Sequence, residues 1–190
     1  NLFLTATGAV LELRNPNSRV PKQAQHESSP GRSRLAAGTS RSVVSLKLEG
    51  ANAKAATSGV DELRERRNYF IGNDPGKWHA DVPTFRAVRY DEIYPGISLT
   101  YYGNQQQIEY DFAIAAGADP RLVRLSFDSG VQPQISERGD LLLRTAGGEV
   151  CQQRPTIYQE VDGRRQLIAG HYVLLGRRQV GFEIGVYDRS

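Results

Sequence analysis

Ile97-Ser98-Leu99-Thr100-Tyr101-Tyr102-Gly103-Asn104 and Ile108-Glu109-Tyr110-Asp111-Phe112-Ala113-Ile114 decide the fold. In the first segment Ile97, Leu99 and Tyr101 alternate with smaller or polar residues. In the second, Ile108, Tyr110, Phe112 and Ile114 share one face, opposite Glu109 and Asp111. A repeat of two places alternate side chains on opposite faces of a pleated strand. Gly103-Asn104 supplies the turn between them. The stretch reads as two antiparallel strands with one apolar and one wet face.

The same period recurs on both sides. Leu2 to Arg14 reads as a hairpin around Ala6-Thr7-Gly8-Ala9. Val44, Leu46 and Leu48 alternate with Ser45 and Lys47. Val123, Leu125 and Phe127 form a further strand, after a Gly117-Ala118-Asp119-Pro120 break. Asp before Pro is the signature of a capped single helical turn. Leu141–Thr145 and Glu149–Gln152 flank Ala146-Gly147-Gly148. Thr156–Val161 and Gln166–Leu175 flank Asp162-Gly163, a strong hairpin signal. A last strand is expected at Val180 to Val186, with an edge open to strand addition, as at Leu2–Thr5. The weakly patterned segment Ala51 to Arg67 leaves room for one short helix near Val60–Leu63.

Roughly ten short strands with regular turn signals predict an all-β chain, an antiparallel β-sandwich or related barrel. At most one or two short helical turns accompany it. Residues 1–14 are expected to be an N-terminal hairpin belonging to the main domain, which spans 43–190. Between them, residues 15–42 are rich in Ser, Pro, Gly, Gln and Arg and read as a flexible excursion. Its basic residues suggest a solvated loop rather than an anionic tether.

Composition narrows the functional classes. The 190 residues are 39% hydrophobic and 24% charged, an ordinary globular balance able to bury a core. No apolar run is long enough for a transmembrane segment. The net charge of +3 is too small and too dispersed to predict a nucleic-acid partner. One cysteine, Cys151, excludes an intrachain disulfide and is expected as a buried structural thiol. There is no methionine, and the chain begins at Asn1 inside strand sequence, so a longer polypeptide is expected.

Candidate chemistry is sparse. His26, His79 and His171 are far apart and lack zinc spacing, so neither a metal nor another cofactor is expected. Gly72-Asn73-Asp74-Pro75-Gly76-Lys77 lacks the spacing of a phosphate loop and reads as a turn. Glu109 and Asp111, two apart on one strand, are the one pair that resembles glycosidase carboxylates. A solvated outer face opposite the Tyr/Phe/Ile face explains the same alternation without chemistry, and is the reading taken. Trp78, Tyr90, Tyr94, Tyr101 and Tyr102 fall within a short stretch. If exposed, Trp78 with Tyr101 or Tyr102 would make a sugar-stacking or protein-docking surface. If buried, they are packing. No catalytic residue is assigned.

Several motifs together resemble a known domain. They are Asn68-Tyr69-Phe70-Ile71-Gly72-Asn73-Asp74-Pro75-Gly76-Lys77-Trp78, Val88-Arg89-Tyr90-Asp91-Glu92-Ile93-Tyr94-Pro95-Gly96-Ile97-Ser98-Leu99, Glu109-Tyr110-Asp111-Phe112, Gly117-Ala118-Asp119-Pro120 and Arg154-Pro155-Thr156-Ile157-Tyr158-Gln159. The chain resembles the uncharacterised domain N-terminal to SBBP-type β-propeller repeats in bacterial secreted and cell-surface proteins. The resemblance runs from Leu2 to Ser190 apart from the Ser/Pro/Arg-rich excursion. It implies a secreted or cell-surface location, a signal peptide before Asn1 and propeller repeats beyond Ser190. It implies no activity. The expected function is a structural or interaction module that packs against those repeats or against neighbouring subunits. A carbohydrate-binding module for surface glycans is the alternative, and a glycoside hydrolase the third reading.

Overall fold

The computed structural model describes residues 1–14, 41–103, 108–146 and 148–189. Of the excursion read at 15–42, residues 15–40 lie outside the described residues, and so does His26. The described residues form an all-β, antiparallel structure whose helical content is two single 3-10 turns. They separate into two compact units, one from residues 1–48 and 124–186, the other from 49–123 and 187–190.

The first unit is built on a six-stranded sheet. Its strands are β1 (Leu2–Thr5), β2 (Gly8–Arg14), β3 (Arg41–Leu48), β8 (Leu125–Phe127), β14 (Gly170–Leu174) and β15 (Gln179–Ile184). Their order is β1-β2-β3-β8-β15-β14, every neighbour antiparallel. β9 (Gln132–Ile135), β10 (Leu141–Thr145) and β11 (Gly148–Gln152) form a three-stranded sheet with β10 central. Pro133 sits on edge strand β9, where its missing N–H breaks no interior ladder. β12 (Ile157–Val161) and β13 (Arg164–Ile168) pair as a ribbon.

The alternation that builds these strands also builds the core. Val44, Leu48, Leu125 and Val180 of the large sheet are buried, as are Leu141 and Leu143 of the small one. Complete burial of such a side chain contributes about 1.5–3 kcal/mol. The Tyr172 ring of β14 is buried too. Its hydroxyl accepts from Gln152 Nε2 (2.7 Å) and donates to the Gln153 carbonyl (3.2 Å), tying β14 to the end of β11. A buried phenol needs such partners.

The second unit is a four-stranded meander. Its strands are β4 (Ala56–Tyr69), β5 (His79–Tyr94), β6 (Ile97–Gly103) and β7 (Ile108–Ile114), in sequence order. Tyr90, Ile93, Tyr94, Ile97, Leu99, Tyr101 and Val123 are buried. The Tyr94-Pro95-Gly96 corner is a turn with Gly96 at φ 70°, and the Glu92 carboxylate accepts from the Gly96 N–H (3.1 Å). A side chain on Gly96 would collide with Ala118.

The turn chemistry follows the sequence closely. Asp162 and Gly163 adopt φ 51° and 72° in the β12–β13 hairpin, the double left-handed geometry of tight hairpin turns. Asp119 caps the 3-10 turn Pro120–Leu122, as its Asp-Pro pair predicts. Asp74 caps Pro75–Lys77 in the same way.

Several expectations are corrected. The helix expected near Val60–Leu63 is part of β4. Gln166–Leu175 is two strands, β13 and β14, which belong to different sheets. This split, with the unforeseen β4, β5 and β9, raises the strand count to fifteen among the described residues. The last strand β15 is interior, between β8 and β14, so the open edges of its sheet are β1 and β14. Cys151 is exposed, not buried. It pairs with Leu142, whose neighbours Leu141 and Leu143 take the buried face of β10, so Cys151 shares the other face.

Candidate functional site

β4 and β5 are fourteen and sixteen residues long, yet β6 pairs only with the Ala87–Tyr94 half of β5. The outer halves, Glu62–Tyr69 and His79–Phe85, pair with each other alone. They form a two-stranded arm, and nearly every side chain on it is exposed on both faces.

A lone two-stranded ribbon is marginal in water. This one carries its own braces. The Thr84 hydroxyl donates to the Glu65 carbonyl (2.6 Å). Asn68 Oδ1 accepts from the Asp81 N–H (2.8 Å), and Arg66 Nη1 donates to the Asp81 carbonyl (3.3 Å). The register shifts twice, between Glu62 and Arg66 and between Arg67 and Tyr69. Asp61 and Asp81 adopt φ 56°, a left-handed conformation that aspartate tolerates better than most side chains. Such bulges and charges interrupt an open edge and discourage indiscriminate strand addition.

At the end of the arm is an ordered apolar tip. Phe70 and Trp78 meet edge to face with ring centroids 5.4 Å apart. Trp78 Nε1 donates to the Gly72 carbonyl (3.2 Å), and Asp74 Oδ1 accepts from the Gly76 N–H (3.0 Å). Ile71 is 73% exposed, Phe70 61%, Tyr69 47% and Trp78 42%. The tip's shape is therefore set by internal bonds, while its apolar surface faces solvent. Contiguous exposed apolar surface of this kind marks interaction sites.

The three aromatics singled out in the sequence do not converge. Trp78 lies on the tip. Tyr101 is buried in the meander core, with Tyr90 6.1 Å and Tyr110 5.9 Å away by ring centroid. Burial, with the neighbouring phenols, holds its own phenol well above the ordinary range. Tyr102 points to the opposite face of β6, half-buried, and donates to Asp111 Oδ2 at 3.0 Å. Desolvation, followed by the bond to Asp111, pushes its phenol up to about 12.

Glu109 and Asp111 sit exposed on β7, across from Tyr102 and Thr100. Tyr102 thus reaches diagonally to Asp111, the role of a cross-strand pair on a wet face. His79 opens β5 at the base of the tip and is exposed. His171 lies on β14, directly opposite Glu183 (3.7 Å). Among the described residues no group of three His, Cys, Asp or Glu side chains is placed to hold a metal ion.

The arm is what sequence reasoning missed. Strands solvated on both faces show no alternation, so Asp61–Arg67 reads as unpatterned charge. The available signal was the apolar triplet Tyr69-Phe70-Ile71 beside an Asn-Asp-Pro-Gly turn, which is costly to expose unless it meets something.

No curated protein and no solved structure matches the chain. A family model, the Domain of unknown function (DUF7948), matches residues 1–190, and the chain belongs to that family.

Proposed function

We propose that this chain is a non-catalytic interaction module of a larger secreted or cell-surface bacterial protein, packing against SBBP-type propeller repeats or neighbouring subunits. The observation that carries this reading is the braced arm with its exposed Tyr69-Phe70-Ile71-Trp78 tip. Rigid aromatic anchors held in one geometry before contact lose little entropy on binding and are frequent hot spots. The secreted location and the neighbouring repeats rest on the family-like motifs, chiefly Asn68–Trp78 and Val88–Leu99.

Carbohydrate binding is less favoured. Tyr101 is enclosed in the core, and Phe70 stands at 72° to Trp78 instead of extending its plane. Hydrolysis is less favoured again. Glu109 and Asp111 stand on an exposed strand face, and Asp111 is engaged by Tyr102.

The test is a photo-crosslinking residue in place of Ile71 in the natural, full-length protein, within its own cells. Export, with crosslinks to repeats of the same polypeptide or to adjacent subunits, supports the reading. A protein retained in the cytoplasm, or one with turnover that Glu109→Gln abolishes, would sink it.

A further inference from the structure

The arm carries a charge pattern that selects its partner. Between Asp61 and Arg86 there are five acids (Asp61, Glu62, Glu65, Asp74, Asp81) and five bases (Arg64, Arg66, Arg67, Lys77, Arg86). The arm as a whole is neutral, so it neither seeks nor repels a surface of one sign. Along β4, however, the charges are ordered. Asp61 and Glu62 lie towards the body of the meander, and Arg66 and Arg67 towards the tip, with Arg64 midway.

We infer that the arm is a contact between two copies of this chain, packed antiparallel about a two-fold axis beside Arg64. This rests on the interaction-module reading and names its partner. A two-fold contact brings one patch against itself, so the patch must be complementary to its own rotated image. Rotation about Arg64 sets Asp61 and Glu62 of one arm against Arg67 and Arg66 of the other, and symmetry repeats the match. Glu65 of each copy stands next to the axis and offsets the approach of the two Arg64 side chains. A surface of a single charge sign could not satisfy this condition.

The apolar tip finds its place in the same arrangement. With the arms antiparallel, Tyr69 and Phe70 of one copy reach the base of β4 in the other, near Ser58 and Gly59. Those residues are small and exposed. The ion pairs now within the arm, Arg66 with Glu62 (2.9 Å) and Arg67 with Glu65 (4.0 Å), are solvated, with half or more of most of these side chains exposed. Pairs of this kind contribute little, so exchanging them for contacts between copies costs little. The two register shifts in the β4–β5 pairing mark bulges that disturb the free edge of β4, so side chains, not a continuous run of backbone bonds, make the contact. A bilayer is the poorer occupant, because Asp74 at the head of the tip would lose its hydration there.

The experiment uses the chain with Cys151→Ser, which removes its exposed thiol. A residue beside a two-fold axis lies next to its own copy, so Arg64→Cys should form an intermolecular disulfide under mild oxidation, far faster than Lys54→Cys. By sedimentation equilibrium, Arg66→Glu with Arg67→Glu should weaken dimerisation at least tenfold. Adding Asp61→Arg and Glu62→Arg should restore it, because the pattern is then inverted on both copies and complementary again. A misfolded double variant would not recover in this way. A chain that stays monomeric to about 0.5 mM overturns the inference. So does a quadruple variant that stays as weak as the double one, or Trp78-dependent binding of monomer to phosphatidylcholine vesicles without a dimer. In each of those outcomes, crosslinks from position 71 to the repeats would leave the module reading standing.

Discussion

The ring of Phe85 lies over the backbone of Gly59 on the facing strand, so that a β-carbon built on this glycine would fall inside the ring's van der Waals surface. An aromatic covering a strand glycine restores some of the packing that the missing side chain forfeits. Here it closes the base of the arm, where β4 and β5 leave the shelter of β6. Gly59→Ala is expected to destabilise the chain by about 1–3 kcal/mol through overpacking. Chemical denaturation checks it, and Phe85→Ala in the same chain should remove most of the additional cost. Independent, additive losses would show that ring and glycine do not touch.

The Tyr102–Asp111 bond makes a prediction about alkaline stability. Unfolded, Tyr102 loses its proton near 10; folded, near 12. Between these values the unfolded chain binds fewer protons than the folded one, so stability falls with rising pH. The contribution is complete below about pH 10 and lost as pH rises through about 12. Spectrophotometric titration of phenolate should show a late component that Tyr102→Phe removes and Asp111→Asn moves to lower pH. An unchanged titration in both variants would refute the assignment.

Asp119 titrates in the opposite sense. Hydrogen bonds from the Arg121 guanidinium (2.9 and 3.0 Å), then from the Arg121 N–H (3.0 Å), hold its carboxyl below the usual range. The cap therefore persists to lower pH than an isolated aspartate would allow. Carboxyl carbon shifts in NMR should report a depressed midpoint for Asp119, and Arg121→Gln should raise it.

Burial separates two leucines of similar appearance in sequence. Leu99 is 1% exposed and Leu167 80%. Leu99→Ala should cost about 2–5 kcal/mol, by lost transfer energy and the cavity left behind. Leu167→Ser should stay within about 0.5 kcal/mol. Thermal and denaturant unfolding of the two variants measure the contrast.

Cys151 should react with a thiol reagent in the folded chain, without denaturant and with one equivalent of label. Labelling that requires unfolding would return the residue to the interior.

Much of the architecture was legible because its turns are local chemistry. Asp162-Gly163, Asp119-Pro120 and Tyr94-Pro95-Gly96 each specify a corner through backbone conformation alone. The strand pair Ile97–Gly103 and Ile108–Ile114 was legible because apolar and polar side chains alternate along it, although only the first strand buries its apolar face; on the second Tyr110 and Phe112 are half-buried and Ile108 and Ile114 exposed. Where both faces are wet, as at Glu62–Tyr69, the period vanishes and the strand was missed. Where a strand is followed by another after one residue, as at Ile168-Ala169-Gly170, apolar content runs on and two elements read as one. Partnership between distant strands was not legible. Nothing near Val180 announces that β15 lies between β8 and β14. Of the aromatics named in the sequence, Trp78 is exposed and Tyr101 buried, a difference not legible beforehand because residue type does not say which face of a strand is covered.

The six-stranded sheet draws on both ends of the chain, with β1–β3 before the meander and β8, β14 and β15 after it. During synthesis the meander, whose partners are sequence neighbours, is available to fold as soon as its segment emerges. The large sheet must wait for β15, the strand that joins β8 to β14, nearly at residue 184. Pairings of such long sequence separation form slowly, and until they close the early hairpin keeps a naked edge at risk of mispairing. Closure of this sheet is thus timed by β15, and truncations just short of that strand should trap a chain with a finished meander and an unclosed sheet.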